Sequence, residues 1–277
     1  MRVFLVVYLF VASLLRCNGL ICSVKRRNSV RCGVADSKGF QGVSVESQSQ
    51  VVVPPSALTP RKDNPLERLV IMALSFALVT LIPDDKLRAE GMSKVRPNFE
   101  GFNEVTRVLL RSSRGQPERI KVSIVELLTK LMPLKVREFF KETYKKNARL
   151  LCEQSSEWIG FGFLTWLIGP TERISVKVSE DEEWLSGVKL TECRYLQASG
   201  CKSLCLHLCR GPTEALFNEQ LGVPLRMSPN YEDCSCTFEF GLKPLPIDED
   251  PAVNTPCFKD CSLADLKKDE GSIPKCT

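Results

Sequence analysis

Between residues 61 and 170, apolar residues recur at helical spacing in a series of segments. The first predicted helix is capped by Asp63 or Asn64, has Pro65 at its first position and ends near Pro83. Its stretch 69–82 is apolar almost all round but shorter than the roughly 20 residues of a bilayer span. The pattern therefore favours a buried core helix.

Four further helices are predicted in the same region from apolar stripes and from glycine and proline stop signals. They cover about residues 98–111, 117–132, 134–144 and 149–168. The last of them ends at Gly169-Pro170 and is rich in aromatic residues. Residues 61–170 are accordingly predicted to form a helical bundle.

After Pro170 the spacing of apolar residues changes to alternation. Residues 174–178 and 184–190 alternate around a polar turn, which predicts a short hairpin. A cysteine-bearing helix ending at Gly211-Pro212 and a helix over 213–220 follow, and the remainder is proline-rich and is predicted as loops. The predicted fold class is α+β and predominantly helical, with a small Cys-rich α+β part at 171–265 and a tail at 266–277.

The first 60 residues have the composition of a targeting leader. Residues 3–15 form an apolar run of signal-peptide length, and residues 23–38 are basic and contain several serines. A signal peptide followed by a transit peptide predicts import into a plastid through the secretory system, with plain secretion as the alternative. The seven basic and two acidic residues of 1–60 account for the whole net charge of +5, so nucleic acid is not an expected partner.

Eight of the 13 cysteines lie between Cys193 and Cys261, and three of them (Cys201, Cys205, Cys209) are spaced four residues apart. On a helix this spacing places the three sulfurs on one stripe, with about 6 Å of rise between neighbours. One tetrahedral metal ion could bind a neighbouring pair but not all three. Disulfides, zinc, and iron or an iron–sulfur cluster all stay open on spacing alone.

Other chemistry-bearing motifs are weak. The single histidine, His207, points to a different helix face from the cysteine triplet, and no P-loop or nucleophile-elbow motif occurs. The aromatic segment 158–168 is explained either by core packing or by a groove or membrane-facing surface for a long apolar molecule. In the second interpretation Trp158, Phe161, Phe163 and Trp166 line the substrate site.

Several ordered motifs, strongest over residues 167–261, resemble the plastid β-carotene isomerases of strigolactone biosynthesis in plants and their algal relatives. They are Lys62-Asp63-Asn64, Leu167-Ile168-Gly169-Pro170-Thr171-Glu172, Cys193-Arg194-Tyr195-Leu196, Cys201-x3-Cys205-x3-Cys209, Leu221-Gly222-Val223-Pro224, Pro229-Asn230-Tyr231-Glu232-Asp233 with Cys236, Glu249-Asp250-Pro251-Ala252, and Pro256-Cys257-x3-Cys261. The resemblance extends over residues 61–265.

The resemblance implies an iron-containing plastid enzyme that interconverts all-trans and 9-cis β-carotene. The iron would be mononuclear or part of an iron–sulfur cluster, and no catalytic residue is assigned. The implied metal-binding residues are Cys193, Cys201, Cys205, Cys209, Cys236, Cys257 and Cys261. Cys234 and His207 receive no role.

The predicted partners are an apolar polyene and the surface of a membrane, while the electron donor and the particular carotenoid stay open. Two other functions are weighed. One is a disulfide-stapled binding protein that is secreted or lumenal, and the other is an iron–sulfur electron carrier or assembly factor.

Overall fold

The computed structural model describes residues 61–113, 116–161 and 164–258. The chain divides into two compact units, Met1–Ser49 and Gln50–Thr277, and every described residue belongs to the second. The leader 1–60, the tail 266–277, Cys261 and Phe163 lie outside the described residues, as does the side chain of Phe161. The predicted domain boundaries stay predictions.

The N-terminal half of the described chain is helical, as the apolar spacing predicts. Its helices are α1 (Pro65–Val79), α2 (Asp85–Lys94), α3 (Phe99–Ser112), α4 (Glu118–Leu131), α5 (Leu134–Lys146), α6 (Ala148–Phe161) and α7 (Thr165–Ile168). Helix α2 was not predicted, because its sequence DKLRAEGMSK carries no apolar stripe. The single helix predicted over 149–168 is two helices in the structure.

Helix α1 begins with the cap that the sequence predicts. The Asn64 side chain accepts a hydrogen bond from the Glu67 backbone N–H at 2.9 Å, and the Glu67 carboxylate accepts one from the Asn64 N–H at 2.8 Å. One face of α1, including Ile71 and Val79, is fully buried, and α1 packs against α3. The opposite face, described below, is exposed, so burial on all sides does not occur.

The four strands of the second half form one antiparallel sheet. They are β1 (Thr171–Lys177), β2 (Glu183–Leu190), β3 (Leu225–Pro229) and β4 (Cys236–Phe240), in the order β1-β2-β4-β3. The predicted hairpin corresponds to β1 and β2. At Gly187 a Cβ atom would lie 2.5 Å from Ile174 on the paired strand, which explains the glycine. Strands β3 and β4 were not predicted.

The remaining helices surround the cysteines. They are α8 (Arg194–Ser199), α9 (Lys202–Leu204), π1 (Cys205–Arg210), α10 (Gly211–Ala215), π2 (Leu216–Leu221) and α11 (Pro251–Asn254). Elements π1 and π2 are stretches of π-helix within a continuous helical segment. The predominantly helical α+β class is therefore confirmed. Within the described part of the chain, none of the helices has the length and apolar character to cross a bilayer.

The helical half and the sheet half share one core. Trp166 is 2% exposed and packs edge-on against Phe99 and Phe102 of α3. Arg194, the first residue of α8, donates to the Asp63 carboxylate and to the Trp166 carbonyl, both at 2.7 Å. This arginine therefore fixes the start of α1 and the end of α7 beside the cysteine-bearing elements.

Candidate metal centre

Cys193 and Cys236 are held at the ends of two different elements. Cys193 is the N-cap of α8, where its sulfur accepts a hydrogen bond from the Leu196 N–H at 3.4 Å. Its own N–H donates to the Cys234 carbonyl at 2.7 Å. Cys236 starts β4 and pairs with Leu190 of β2 and Pro229 of β3. The backbone ladder therefore fixes the position of Cys236.

The cysteine triplet does not lie on one regular helix. Gly200 adopts a left-handed conformation (φ 54°) and ends α8, so Cys201 is the extended N-cap of α9. Cys205 and Cys209 both lie in π1. A π-helix closes its hydrogen bonds from residue i to i+5 and is rare, occurring often at functional sites. The predicted stripe of three sulfurs is thus reduced to a pair.

Four cysteines from these elements line one small cavity of about 10 Å³. This volume corresponds to roughly one water-sized group. The cavity is lined by Ile168, Leu190, Cys193, Tyr195, Leu196, Cys205, Cys209, Arg210, Met227, Pro229, Cys236 and Phe238. Sequence positions up to 70 residues apart thus converge on a single point in the core.

The other cysteines of the predicted metal set have different positions. Cys201 is buried but does not line this cavity, and Cys257 is only partly buried. Cys234, to which no role was given, is fully buried in a left-handed conformation (φ 57°). Its thiol is close enough to raise the pKa of the Cys205 thiol, so it belongs to the surroundings of the cavity.

Burial raises the pKa of every thiol that lines the cavity. The pKa of Cys205 rises from 9.0 to about 12, first through burial and then through the neighbouring Cys193, while Arg210 and Tyr231 act in the opposite direction. The pKa values of Cys193, Cys209 and Cys236 are raised as well, in each case chiefly by burial. Without a bound cation the four thiols are therefore protonated near neutral pH.

Arg210 places a positive charge in the wall of the thiol cavity. It is 5% exposed and pairs with Asp250, and its Nε lies 3.3 Å from the Glu214 carboxylate. Burial works against the charge of Arg210, but Glu214 and Asp250 outweigh it and raise the arginine's pKa. No local sequence pattern indicates this group of charges, because Arg210 and Asp250 are 40 residues apart.

Two buried tyrosines adjoin the thiols. Tyr195 lines the cavity, and the Tyr231 phenol lies against Cys205, where it lowers the pKa of that thiol. The Tyr195 hydroxyl lies beside Thr106 and the Tyr231 hydroxyl beside the Cys205 sulfur, although neither contact has ideal hydrogen-bond geometry. Because a buried hydroxyl needs a partner, we expect Tyr231 to donate to the Cys205 sulfur.

His207 and the aromatic segment lie elsewhere. Burial lowers the pKa of the His207 imidazole, and the nearby charges that also act on it are those of Glu118, Lys121 and Lys202. His207 does not line the thiol cavity. Trp158 is partly buried, while Trp166 packs in the core described above. Their predicted role at a substrate site stays a prediction.

The donor chemistry of the cavity fits a thiolate-bound metal ion. It brings together four sulfurs, one cation to balance thiolate charge, and the Tyr231 hydroxyl beside one of the sulfurs. Over residues 61–113, 116–161 and 164–258, however, no three His, Cys, Asp or Glu side chains already stand in a metal-binding arrangement. The side chains of the cavity would therefore have to converge on a bound ion.

A second concavity lies in the helical half. This open groove of about 620 Å³ is lined by residues at the α1–α2 connection and along α3 and α4. Apolar residues such as Leu81 and Ile120 alternate there with hydroxyl, carboxylate and guanidinium groups, including Ser112, Asp84 and Arg119. No cysteine contributes to it. The mixed lining gives no reason to assign it to a hydrocarbon.

The fold and the site define a small Cys-rich α+β module with a buried thiol cluster. Residues 166–249 match a family model described as the C-terminal part of β-carotene isomerase D27-like proteins. All 12 residues that line the thiol cavity fall inside this range. The chain therefore contains a module similar to the C-terminal part of β-carotene isomerase D27-like proteins, and the resemblance drawn from the sequence motifs is confirmed.

Two relatives give the extent of the similarity. The chain is 38% identical over 96 residues to a protein of Arabidopsis thaliana named β-carotene isomerase D27, chloroplastic, an alignment that covers 35% of this chain and 36% of that protein. It is 26% identical over 200 residues to a protein of the same name from Medicago truncatula, covering 72% of this chain and 74% of the relative. No solved structure matches the chain.

Proposed function

We propose that this protein is a carotenoid cis/trans isomerase of the plastid, with iron bound by the buried thiol cluster. The observation that carries the proposal is that Cys193, Cys205, Cys209 and Cys236 line one cavity inside the family domain. Two relatives of the chain are named chloroplastic β-carotene isomerases, which supports both the reaction and the compartment.

The four cavity cysteines are the residues proposed to hold the metal, and Cys201, Cys257 and Cys261 are proposed as further ligands on the family resemblance alone. Iron, when bound, would supply reversible electron exchange with the polyene and so lower the order of one double bond. A cavity of about 10 Å³ suits a single ion better than a cluster that also contains inorganic sulfide. We therefore favour a mononuclear centre.

The residues of the chain prepare the site for such an ion. The thiols must lose protons when the metal binds, and the charge of Arg210 favours their thiolate forms. The apolar side chains of Ile168, Leu190 and Phe238 keep water away from the sulfurs. Tyr231 is placed to donate a hydrogen bond to Cys205 once that sulfur is anionic.

Isomerisation requires rotation about one bond in an apolar setting and needs no proton transfer by the protein. A carotenoid is far longer than the thiol cavity, so the cavity can contain the reactive centre but not the substrate. The polyene is proposed to bind across the wall of the cavity, which must open far enough to expose the sulfurs. The aromatic residues Trp158, Phe161, Phe163 and Trp166 stay proposed neighbours of that path.

The proposal is tested by single replacements in protein purified without oxygen and supplied with iron. Cys205→Ser and Cys236→Ser should each lose most of the bound iron and at least about tenfold in the interconversion of all-trans and 9-cis β-carotene, measured by chromatography. Cys152→Ser is the matched control, because it also replaces a fully buried thiol but lies outside the cavity. Full activity without iron, or in both cavity variants, would contradict the proposal.

The alternatives make different predictions in the same experiment. A disulfide-stapled binding protein requires bridged cysteines, whereas Cys193, Cys205, Cys209, Cys234 and Cys236 are unbridged in the structure. An electron carrier would bind iron and lose it in the cavity variants, but would leave the isomer ratio of β-carotene unchanged. Import through a two-part leader is proposed with the plastid location and is tested by following the fate of residues 1–60.

A further inference from the structure

Helix α1 carries a stripe of exposed apolar side chains opposite its buried face. Leu66, Leu69 and Phe76 are 64%, 61% and 43% exposed. With the partly exposed Ala73 between them, their steps of three, four and three residues place them on one side of the helix. The stripe is about 15 Å long. We refer to these four residues as the α1 stripe.

The surface next to the start of the α1 stripe is basic. The carboxylate of Glu67 pairs with Arg61, and that of Asp63 pairs with Arg194, so both acids of the segment 61–80 are neutralised. Lys62 and Arg68 are exposed beside them. An apolar stripe flanked by exposed cations is complementary to a bilayer surface that contains anionic lipids.

We infer that the α1 stripe docks this protein on an anionic lipid surface, with Leu66, Leu69 and Phe76 entering the acyl boundary and Lys62 and Arg68 at the headgroups. The docking surface follows from exposure and charge. Its use, to reach a substrate dissolved in a membrane, rests on the proposed isomerase function. The membrane contact expected at the aromatic segment is thus assigned to α1 instead, since Trp166 of that segment is buried.

Charge favours an anionic lipid surface over two other possible occupants of the α1 stripe, the leader and a second copy of the chain. The leader 1–60 carries seven basic residues and two acidic ones, so its docking on the basic start of α1 would bring like charges together. A second copy of the chain would have to place its own Lys62 and Arg68 against the same kind of surface. An anionic lipid surface meets both the apolar and the charged part of the patch.

The α1 stripe is connected to the thiol cavity by a short chain of contacts. Asp63, just before α1, pairs with Arg194, and Arg194 donates to the Trp166 carbonyl in α7. Arg194 directly follows the cavity cysteine Cys193, and α7 ends at Ile168 in the cavity wall. A lipid-bound α1 would therefore hold the cavity close to the bilayer.

The experiment measures cosedimentation with phosphatidylcholine vesicles, with and without a minor share of phosphatidylglycerol. It uses protein that starts at Gln50, because this compact unit contains every described helix and strand and lacks the apolar run 3–15. The double variant Leu66→Asp/Leu69→Asp should bind at least about tenfold more weakly than the parent protein. Circular dichroism checks that the variant is folded, and Asp in a first helical turn is favourable.

Leu134→Asp is the matched control, because Leu134 is 60% exposed and lies in the first turn of α5. It should leave vesicle binding unchanged. The variant Lys62→Gln/Arg68→Gln should lose binding several-fold on vesicles with phosphatidylglycerol and little on pure phosphatidylcholine. Equal losses from Leu134→Asp and from the stripe variant would overturn the inference, as would the absence of any vesicle binding.

Two further outcomes identify other occupants and also overturn the inference. One is a dimer in sedimentation equilibrium that the stripe variant dissociates, without vesicle binding by the parent protein. The other is binding of a peptide of residues 1–49 that the stripe variant abolishes.

Isomerase assays keep this inference apart from the proposed function. With detergent-dissolved β-carotene the stripe variant should equal the parent protein, and with vesicle-embedded β-carotene it should be slower. If the parent protein bound vesicles through the stripe but never isomerised β-carotene, the docking surface would stand and the proposed function would fail.

Discussion

The two halves of the described chain depart from ordinary burial in opposite directions. The helical half exposes large apolar side chains along the α1 stripe, among them Leu66, Leu69 and Phe76. The Cys-rich half instead buries charged ones, among them Lys202, Arg210 and Asp250. Folding alone favours neither arrangement. On the inference that the α1 stripe docks on lipid, the first half meets an apolar environment outside the protein, while the second half creates a polar one inside it.

The sharpest test of this comparison sets a buried apolar residue against an exposed one. Trp166→Ala should lower the free energy of unfolding by about 4 kcal/mol, because it empties a site packed by Phe99 and Phe102. Leu69→Ala should change it by no more than about 0.5 kcal/mol, because Leu69 is 61% exposed. Urea denaturation followed by circular dichroism measures both, and a large loss from Leu69→Ala would show that the α1 stripe supports the fold.

A somewhat smaller effect is expected from the buried charges of the second half. Asp250→Ala leaves Arg210 with Glu214 as its remaining partner and should cost about 3 kcal/mol of unfolding free energy in the same assay. The control is Glu126→Ala, which removes an exposed pair with Lys130 and should have no measurable effect. Similar losses of unfolding free energy for the two variants would mean that the buried pairing of Arg210 with Asp250 stabilises the Cys-rich half no more than an exposed ion pair does.

The smallest effect, taken per pH unit, concerns the one buried thiol described in the helical half. Burial, and then Glu153, raises the pKa of Cys152 from 9.0 to about 12. The folded protein therefore retains a proton that the unfolded chain releases above about pH 9. From this pH up to about 12, Cys152 should reduce stability by about 1.4 kcal/mol per pH unit.

Cys152→Ala should make the alkaline decline of the unfolding free energy less steep. The slopes against pH are compared, rather than the free energies themselves, because the substitution also leaves a small cavity that lowers stability at every pH. Urea denaturation at a series of alkaline pH values gives the two slopes. Identical slopes would mean that the Cys152 thiol ionises in the folded protein as readily as in the unfolded chain.

The helices could be predicted where local chemistry determines them. Asn64 and Pro65 marked the start of α1, and Gly169-Pro170 marked the end of the helical half. Helix α2 escaped detection because its stability comes from the Asp84 cap and from packing of a glycine face, with Gly91 against Ile82. The spacing of apolar residues along the sequence does not indicate such contacts.

The site was predicted in composition but not in geometry. The cysteines were recognised, yet their convergence depends on β3 and β4, which the prolines and the positive φ at Cys234 obscured. The predicted regular stripe of three sulfurs was wrong, because Cys201 is the extended N-cap of α9 while Cys205 and Cys209 lie in a π-helical stretch. The pairing of Arg210 with Asp250 depends on tertiary structure and has no local signal.

The π-helical stretch from Cys205 to Arg210 makes the length of this segment as important as its composition. A π turn contains one residue more than an α turn, so removing a single residue would restore the common helix. Everything downstream would then be rotated by about 100°. Arg210 would turn away from Asp250, and Glu214 would turn away from the Met227 N–H, from which it now accepts a hydrogen bond of 2.8 Å. A one-residue deletion here would therefore dismantle the centre while leaving every sulfur atom in the chain.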